Sequence, residues 1–223
     1  EDKKDYENSF KHYEFGNNIK MKINRSSLNK FKKQSEDLKN YFANFNFSNL
    51  KRKDEGKNIF ILGLPRSGTT LLEKIISSHS KVGSVSEIGY VHDQINRNII
   101  IDNKIDTKLI DRFINLDFNK EYSNQLSFYN IQKEFIIDKT LTNFWHIGFI
   151  KIFFPNSKII HSFRDPKDNC LSIYKNLFIN NETWLYSQED IGEYYLIYND
   201  LMKFWNKIFK GQIFNSKYED LIN

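Results

Sequence analysis

Apolar and polar positions follow two different periods around residue 65, and the change of period marks the predicted elements. Residues 58–62 form a short apolar run, which predicts a strand buried on both faces of a parallel sheet. From Thr69 the apolar positions recur at helical spacing, at Leu71, Leu72, Ile75, Ile76 and His79. The loop 63–68 cannot continue the strand, because Pro65 lacks an N–H and the two glycines favour positive φ. A strand, a tight loop and a helix N-terminus predict an anion site, usually for phosphate.

The same patterns predict alternating strands and helices over the rest of the chain. Strands are expected at 81–85, 134–138, 157–162 and 212–218. Helices are expected at 86–98 with Ser86 as the cap, at 106–116, 121–129 and 142–154, from Pro166 onward, and at 189–209. Alternation of this kind predicts an α/β fold: a P-loop-like parallel sheet sandwiched between helices.

Residues 1–50 predict a short N-terminal helical appendage. One helix is expected to about residue 22, with a break at Gly16-Asn17-Asn18, and a second is expected after a cap at Ser26-Ser27. The run 5–20 is similar to the last helix of a tetratricopeptide repeat, but one partial unit does not establish an array. The charged stretch 51–57 is the expected linker, so the predicted units are 1–50 and 57–223.

Composition narrows the class of protein only slightly. A chain of 223 residues suffices for one α/β domain and an appendage, and its net charge of +5 suits polyanionic ligands. The basic residues are dispersed, so no nucleic-acid partner is expected. The single cysteine, Cys170, excludes an internal disulfide and a cysteine metal site, which favours a cytoplasmic location. We expect no membrane segment, and we expect the chain to be a fragment, because it lacks an initiator Met and stops abruptly.

The first loop has the outline of a nucleotide-binding P-loop but not its chemistry. Gly63 and Gly68 have the P-loop spacing, but Thr69 stands where a P-loop has lysine. The nearest basic residue, Arg66, lies inside the loop instead. A phosphate cradle is therefore predicted, and hydrolysis of a nucleoside triphosphate is disfavoured.

A second anion motif follows the strand predicted at 157–162. Arg164 comes directly after it, and Ser172 lies eight residues further on, two turns into the next helix. The carboxyl ends of parallel strands meet at one edge of the sheet, where ligands bind. Arg164 is therefore expected to face the first loop across a ligand with two separated phosphate groups.

These two motifs resemble those of the sulfotransferases that use 3′-phosphoadenosine 5′-phosphosulfate (PAPS). Residues 64–70 resemble the 5′-phosphosulfate loop, and Arg164-Asp165-Pro166 with Ser172 resembles the 3′-phosphate motif. The likeness is strongest to bacterial sulfotransferase domains that follow tetratricopeptide repeats and to protein-tyrosine sulfotransferases. It covers 57–223, and four further segments match in order: 86–88, 138–140, 154–158 and 218–221.

The resemblance implies a transfer of the sulfuryl group from PAPS to a hydroxyl acceptor by in-line displacement, without a metal. It implies that the 5′-phosphosulfate is bound by Ser67, Gly68, Thr69 and Thr70, and the 3′-phosphate by Arg164 and Ser172. Arg66 would bind the cofactor and stabilise charge on the transferring group. Lys139 would contact the cofactor near the leaving group. Glu87 would be the general base, because it matches the glutamate of the tyrosine-sulfotransferase pattern.

Two departures from the family pattern are visible. Leu71 stands where many cytosolic members have a tryptophan that stacks on adenine. The chain also ends before the C-terminal segment that closes over the nucleotide in the family, so the fragment itself is expected to bind weakly or to be inactive.

The acceptor and two alternative functions stay open at this point. Protein tyrosine, carbohydrate and small molecules are all compatible acceptors, and the N-terminal helices could bind a protein partner. The first alternative is a P-loop kinase or NTPase, against which Thr69 and the lack of a convincing Walker-B aspartate argue. The second is a non-catalytic interaction module that retains a relic cofactor fold.

Overall fold

Five parallel strands form the central sheet in the order β2-β5-β1-β6-β7. In the computed structural model, which describes residues 3–23, 28–49, 54–101, 104–179 and 182–223, they are β1 (Asn58–Leu62), β2 (Val82–Ser84), β5 (Phe135–Asp138), β6 (Lys158–Phe163) and β7 (Ile213–Lys217). The short strands β3 (Ile100–Ile101) and β4 (Lys104–Ile105) pair antiparallel outside this sheet. The proposed cap at Ser26-Ser27 and residues 51–53 of the proposed linker lie outside the described residues.

Helices cover both faces of the sheet. They are α1 (Tyr6–Ile23), α2 (Asn29–Ala43), α3 (Thr69–Ser77), α4 (Tyr90–Asn98), α5 (Thr107–Phe113), α6 (Phe118–Ser127), α7 (Ile147–Phe153), α8 (Pro166–Tyr174), α9 (Gln188–Ile208) and α10 (Tyr218–Ile222). Short 3-10 helices occur at Phe47–Asn49, Leu141–His146 and Thr183–Tyr186. Within the described ranges, no helix is both long enough and apolar enough to cross a membrane.

The burial of β1 explains its unbroken apolar sequence. Phe60 and Leu62 point into the larger core, whereas Ile59 and Ile61 point into a second cluster on the opposite face of the sheet. A central parallel strand covered on both faces has no solvent side, so it lacks the alternation of polar residues that a half-exposed strand shows. The predicted α/β sandwich, with a helical N-terminal region, is confirmed.

Helix α2 packs into the same core as the helices that cover the sheet. Phe42 is 1% exposed, and its ring centroid lies 5.0 Å from that of Phe149 and 5.3 Å from that of Trp205. Gly148 allows this approach, because a Cβ there would lie 2.6 Å from Cζ of Phe42. The division into units 1–50 and 57–223 stays a prediction, although α2 contributes buried side chains to the larger core.

Two predicted local features are wrong. Helix α1 continues through Gly16, and Asn17 is buried and donates a hydrogen bond to the carbonyl oxygen of Tyr174 (2.9 Å). Ser86 does not cap a helix, because its carbonyl oxygen accepts from the backbone N–H of Lys139 (2.9 Å) and prolongs the β2–β5 pairing. Helix α4 therefore begins only at Tyr90, after Gly89 at a φ of 67°.

Candidate active site

Three loops meet at the carboxyl edge of the sheet, because β5, β1 and β6 are neighbours and run parallel. The loop after β1 is tied to both of the others. The backbone N–H of Gly63 donates to the carbonyl oxygen of Leu141 (3.4 Å), and the Ser162 hydroxyl donates to the carbonyl oxygen of Ser67 (2.8 Å). The edge therefore carries one continuous surface on which the predicted site residues lie.

The loop 63–68 has the form of an anion cradle. Gly63 and Gly68 adopt φ values of 152° and 95°, and an added Cβ would collide with the carbonyl oxygen of Ser162 at Gly63 and with the ring of Tyr218 at Gly68. Arg66 also has a positive φ, of 66°, which is uncommon for a residue with a side chain. The chain is thus held in a conformation that turns it sharply between β1 and α3.

The start of α3 offers hydrogen-bond donors. Gly68 is the N-cap residue and supplies no side-chain acceptor, so the first N–H groups of the helix lack a capping partner. The Ser67 hydroxyl is buried without a hydrogen-bond partner in the described structure. Thr69 is buried and Thr70 is exposed at this helix start. An orphaned buried hydroxyl next to a helix N-terminus fits a bound phosphate or sulfate group.

The second anion motif lies beside the first. Asp165 caps α8 by accepting from the backbone N–H groups of Lys167 (2.9 Å) and Asp168 (3.2 Å). This cap fixes the chain that carries Arg164. On α8, the Ser172 hydroxyl accepts a hydrogen bond from Nε of Arg66 (3.3 Å). The structure thereby brings the two predicted anion motifs into direct contact.

Arg164 is fixed by a residue that was given no role in the sequence analysis. Its guanidinium lies 4.9 Å from the ring centroid of Tyr218, and one of its terminal nitrogens lies 3.4 Å from Oδ2 of Asp168. Nε of Arg164 is buried without a hydrogen-bond partner. Tyr218 also covers Gly68, so one ring spans both anion motifs. The segment 218–221 could be matched in sequence, but the contacts of Tyr218 join residues too distant in the chain to be inferred.

Lys139 and Glu87 form a second polar group on the β5 side. Lys139 is 4% exposed, and its ammonium lies 2.6 Å from Oε1 of Glu87 and 3.6 Å from Oε2 of Glu73. The Glu87 side chain is 55% exposed, whereas that of Glu73 is buried and accepts from the Ser84 hydroxyl (2.5 Å). One buried ammonium is therefore held between a buried and an accessible carboxylate. Within the described part of the chain, no hydrogen bond joins this group to Arg66 or Arg164.

The buried position of Glu73 corrects the predicted face of α3. Leu71 and Ile75 were expected on the apolar side, but both are exposed. The face turned inward instead carries Thr69, Leu72, Glu73 and Ile76. This set also has helical spacing, and it could have been recognised in the sequence if a buried carboxylate partner for Lys139 had been sought.

Asp138 fixes the loop that carries Lys139. Its carboxylate is buried and accepts hydrogen bonds from the Thr140 hydroxyl (2.6 Å), the Thr140 N–H (3.1 Å) and the Tyr122 hydroxyl (3.0 Å). Burial raises the pKa of Asp138 to about 6, against the lowering effect of these hydrogen bonds. The Thr140 hydroxyl in turn accepts from the N–H of Gly89 (3.0 Å), which links this loop to the start of α4.

A cavity of about 560 Å³ lies next to the first anion loop and Glu87. Its lining includes Gly63, Leu64 and Pro65 together with Glu87 and Thr140. Five aromatic residues also line it: Phe31, Phe144, Trp145, Trp184 and Tyr194. The cavity therefore joins the predicted general base and the first anion loop to an apolar chamber large enough for a small molecule.

A histidine pair adds a neutral polar patch to the cavity. Nδ1 of His92 lies 2.9 Å from Nε2 of His146, and Nε2 of His92 lies 2.8 Å from the side-chain amide nitrogen of Asn96. Burial lowers the pKa of both histidines, so both rings are neutral at pH 7. Among the described residues, no cluster of three or more His, Cys, Asp or Glu side chains is arranged to hold a metal ion.

Two known proteins are similar to large parts of this chain. A protein of Aquifex aeolicus (strain VF5), described only as an uncharacterized protein, is 30% identical over an alignment 175 residues long, which covers 73% of this chain and 23% of that protein. The chain thus spans about a quarter of the length of this curated relative. The crystal structure of a sulfotransferase from Alicyclobacillus acidocaldarius matches 74% of each chain, with 15% identity and a TM-score of 0.46.

A family model identifies the larger part of the chain. The model described as "Sulfotransferase family" matches residues 58–223, from the first residue of β1 through both anion motifs to the last residue. This range agrees closely with the one over which the sequence resembles sulfotransferases. The chain belongs to the sulfotransferase family.

Proposed function

We propose that the protein transfers a sulfuryl group from PAPS to a hydroxyl acceptor by in-line displacement. The observation that carries this proposal is the contact between Arg66 and Ser172, because it joins a residue of the first anion loop to a residue of the second. A ligand with phosphate groups at both ends of a nucleoside would use both motifs at once. A nucleoside triphosphate has no use for the second motif, and Thr69 gives it no P-loop lysine.

The residues present fit the two charged ends of PAPS. The orphaned Ser67 hydroxyl and the uncapped N–H groups at the start of α3 would bind the 5′-phosphosulfate, with Gly68, Thr69 and Thr70 forming that turn. Arg164, whose Nε lacks a partner, and Ser172 would bind the 3′-phosphate through charge-assisted hydrogen bonds. Arg66 would exchange its contact with Ser172 for the transferring group.

The chemistry then requires a base, a cation and a leaving group. PAPS supplies the sulfuryl group and leaves as adenosine 3′,5′-bisphosphate when the acceptor oxygen attacks sulfur. Glu87 would accept the hydroxyl proton, for which it must come within about 3 Å of the acceptor oxygen. Arg66 would stabilise charge on the transferring group and the departing oxygen, as fixed cations do for developing negative charge.

Lys139 would contact the cofactor near the leaving group and would keep a carboxylate partner while it does so. When Glu87 turns from Lys139 toward the acceptor, the ammonium still has Glu73, which lies 3.6 Å away and is buried. A buried lysine without a partner would be strongly destabilising. Glu73 therefore makes it possible for Glu87 and Lys139 to separate during the reaction.

Release of adenosine 3′,5′-bisphosphate by the full-length protein, incubated with PAPS and a panel of hydroxyl acceptors, tests the proposal. We expect Arg66→Ala to lower kcat by about 10²- to 10³-fold, the loss typical of removing one group that stabilises transition-state charge. Lys74→Ala is the matched control, since Lys74 is an exposed basic residue in the last turn of α3. Binding of Mg²⁺-ATP without any binding of PAPS would contradict the proposal and favour the kinase alternative.

A further inference from the structure

Part of the cavity next to Glu87 is lined by residues outside the family match. Lys30, Phe31 and Gln34 of α2 line the cavity, whereas the family model begins at residue 58. These positions are spaced by one helical turn, so α2 presents one face to the cavity. The framework that carries the anion loops is therefore closed on its acceptor side by the N-terminal helical segment.

Phe31 is held in place by other rings. Its centroid lies 4.9 Å from that of Tyr194, in an edge-to-face arrangement, and 6.0 Å from that of Trp145, in a stacked one. Tyr194 is itself stacked on Trp184 at 3.8 Å, and its hydroxyl accepts from the Trp145 indole N–H (3.2 Å). These rings pack against one another in the edge-to-face and stacked arrangements that aromatic pairs prefer, so Phe31 is part of one aromatic cluster.

The cations of the cavity lie beside carboxylates, although Oε2 of Glu182 makes no hydrogen bond in the described structure. Lys30 lies 3.6 Å from Glu182, and Glu87 is bound to Lys139. His92 is neutral, because burial lowers its pKa. The described lining residues thus offer aromatic surface and neutral hydrogen-bonding groups to a ligand. A carbohydrate bearing carboxylates or sulfates would find no unpaired cation there, whereas a neutral ring would be well accommodated.

We propose that α2 is the specificity wall of the acceptor site, and that Phe31 holds a small, neutral, ring-bearing hydroxyl compound with its hydroxyl toward Glu87. This inference rests on the proposed sulfuryl transfer. It assigns the choice of acceptor to the N-terminal segment, separately from the loops that bind the nucleotide. The Lys30 ammonium lies 4.6 Å from the centroid of the Phe31 ring, so Phe31 would pack on the acceptor ring as Lys30 moves aside.

Steady-state kinetics with PAPS and 2-naphthol test the specificity wall. We expect Phe31→Ala to raise the KM for 2-naphthol by about tenfold or more, which is the range for losing apolar contact in a pocket. The Kd for adenosine 3′,5′-bisphosphate should stay within about twofold of the original value, and Phe31→Leu should recover part of the loss in KM. Phe45→Ala is the matched control, because Phe45 packs on Phe42 and Phe47 away from the cavity.

The outcomes separate this inference from the proposed function. If Phe31→Ala and Phe45→Ala change the KM for 2-naphthol equally, α2 acts only through stability and the inference is overturned. If the protein transfers the sulfuryl group to N-acetylglucosamine but not to 2-naphthol, sulfuryl transfer stands and the inference falls. If the full-length protein turns over no acceptor, the proposed function falls. Binding can then still be measured by the quenching of tryptophan fluorescence by 2-naphthol. If Phe31→Ala weakens this quenching and Phe45→Ala does not, the result supports the specificity wall.

Discussion

His161 is a buried histidine of the central sheet that takes no part in the proposed chemistry. It lies in β6, with Nδ1 2.7 Å from Oδ1 of Asn215 and Nε2 hydrogen-bonded to the Tyr198 hydroxyl. Burial lowers its pKa to about 4, although the contact with Asn215 opposes this shift. In the unfolded chain this histidine has the ordinary pKa of about 6.5. In the fold it therefore stays neutral down to a lower pH.

This difference makes the stability of the fold depend on pH. Between pH 6.5 and pH 4 the unfolded chain binds a proton at residue 161 that the folded protein does not, so the free energy of unfolding falls as the pH falls through this window. The contribution is about 3 kcal/mol over the whole window. We expect His161→Gln to have a flatter profile than the original protein, as measured by urea unfolding at several pH values. The exposed His79 provides the control, and parallel profiles for His161→Gln and the original protein would contradict the prediction.

Asp138 changes the free energy of unfolding with pH in the opposite direction. The effect of His161 is therefore measured as the difference between variants that both retain Asp138. Its pKa of about 6 in the fold lies above the ordinary value of 3.8. Its contribution to stability is therefore fully present below pH 3.8 and is lost as the pH rises through 6. Both His161→Gln and His79→Gln retain Asp138, so its effect cancels in the comparison.

At the residue scale, the sequence identified groups that act through local geometry. Arg66, Ser67 and Gly68 belong to one loop, and their proximity needs no knowledge of the fold. Glu73 and Tyr218 were missed as site residues because their roles depend on Lys139 and Arg164, which lie far away in the chain. Contacts of this kind follow from the order of the strands and not from any spacing in the sequence.

At the scale of elements, α2 joins the N-terminal segment to the sheet. Phe42 is enclosed by rings from α7 and α9, so we expect Phe42→Ala to leave a cavity and to lower the free energy of unfolding by about 3–5 kcal/mol. Urea unfolding monitored by tryptophan fluorescence gives this value. Phe15→Ala in α1 is the matched control, because Phe15 is 68% exposed and its loss should change stability by less than about 0.5 kcal/mol. Similar values for both variants would show that α2 does not help to hold the core together.

The existence and type of the main elements could be predicted, but some helix starts could not. The strand at 58–62 and the helix from Thr69 were recognisable because the spacing of apolar residues and the position of the glycines and the proline both mark the same boundaries. The start predicted at Ser86 is wrong because pairing with β5 extends past Val85, and a strand neighbour overrides a local capping signal. The same holds at Gly16, where packing of α1 on Tyr174 outweighs the glycine.

At the scale of the whole molecule, strand order creates the site. The sequence predicted a parallel sheet without saying which strands would be neighbours. With β1 between β5 and β6, the first anion loop lies between the strand that leads to Lys139 and the strand that leads to Arg164. A ligand that spans Arg66 and Arg164 therefore crosses from β1 to β6, whereas the cavity beside Glu87 lies on the β5 side. Nucleotide and acceptor would approach the first loop from opposite directions.

This arrangement predicts that the two phosphate groups of the nucleotide can be tested separately. We expect the original protein to bind adenosine 3′,5′-bisphosphate about 10- to 100-fold more tightly than adenosine 5′-monophosphate, as measured by calorimetry. This ratio corresponds to charge-assisted hydrogen bonds from Arg164 to the 3′-phosphate. Arg164→Ala should abolish the preference while changing the Kd for the monophosphate by less than about twofold. The exposed Lys167, on the first turn of α8, provides the matched control. An equal loss of affinity for both nucleotides would mean that Arg164 shapes the first loop through Tyr218 and does not bind the 3′-phosphate. The proposal of a nucleotide site with two phosphate-binding ends would then be wrong.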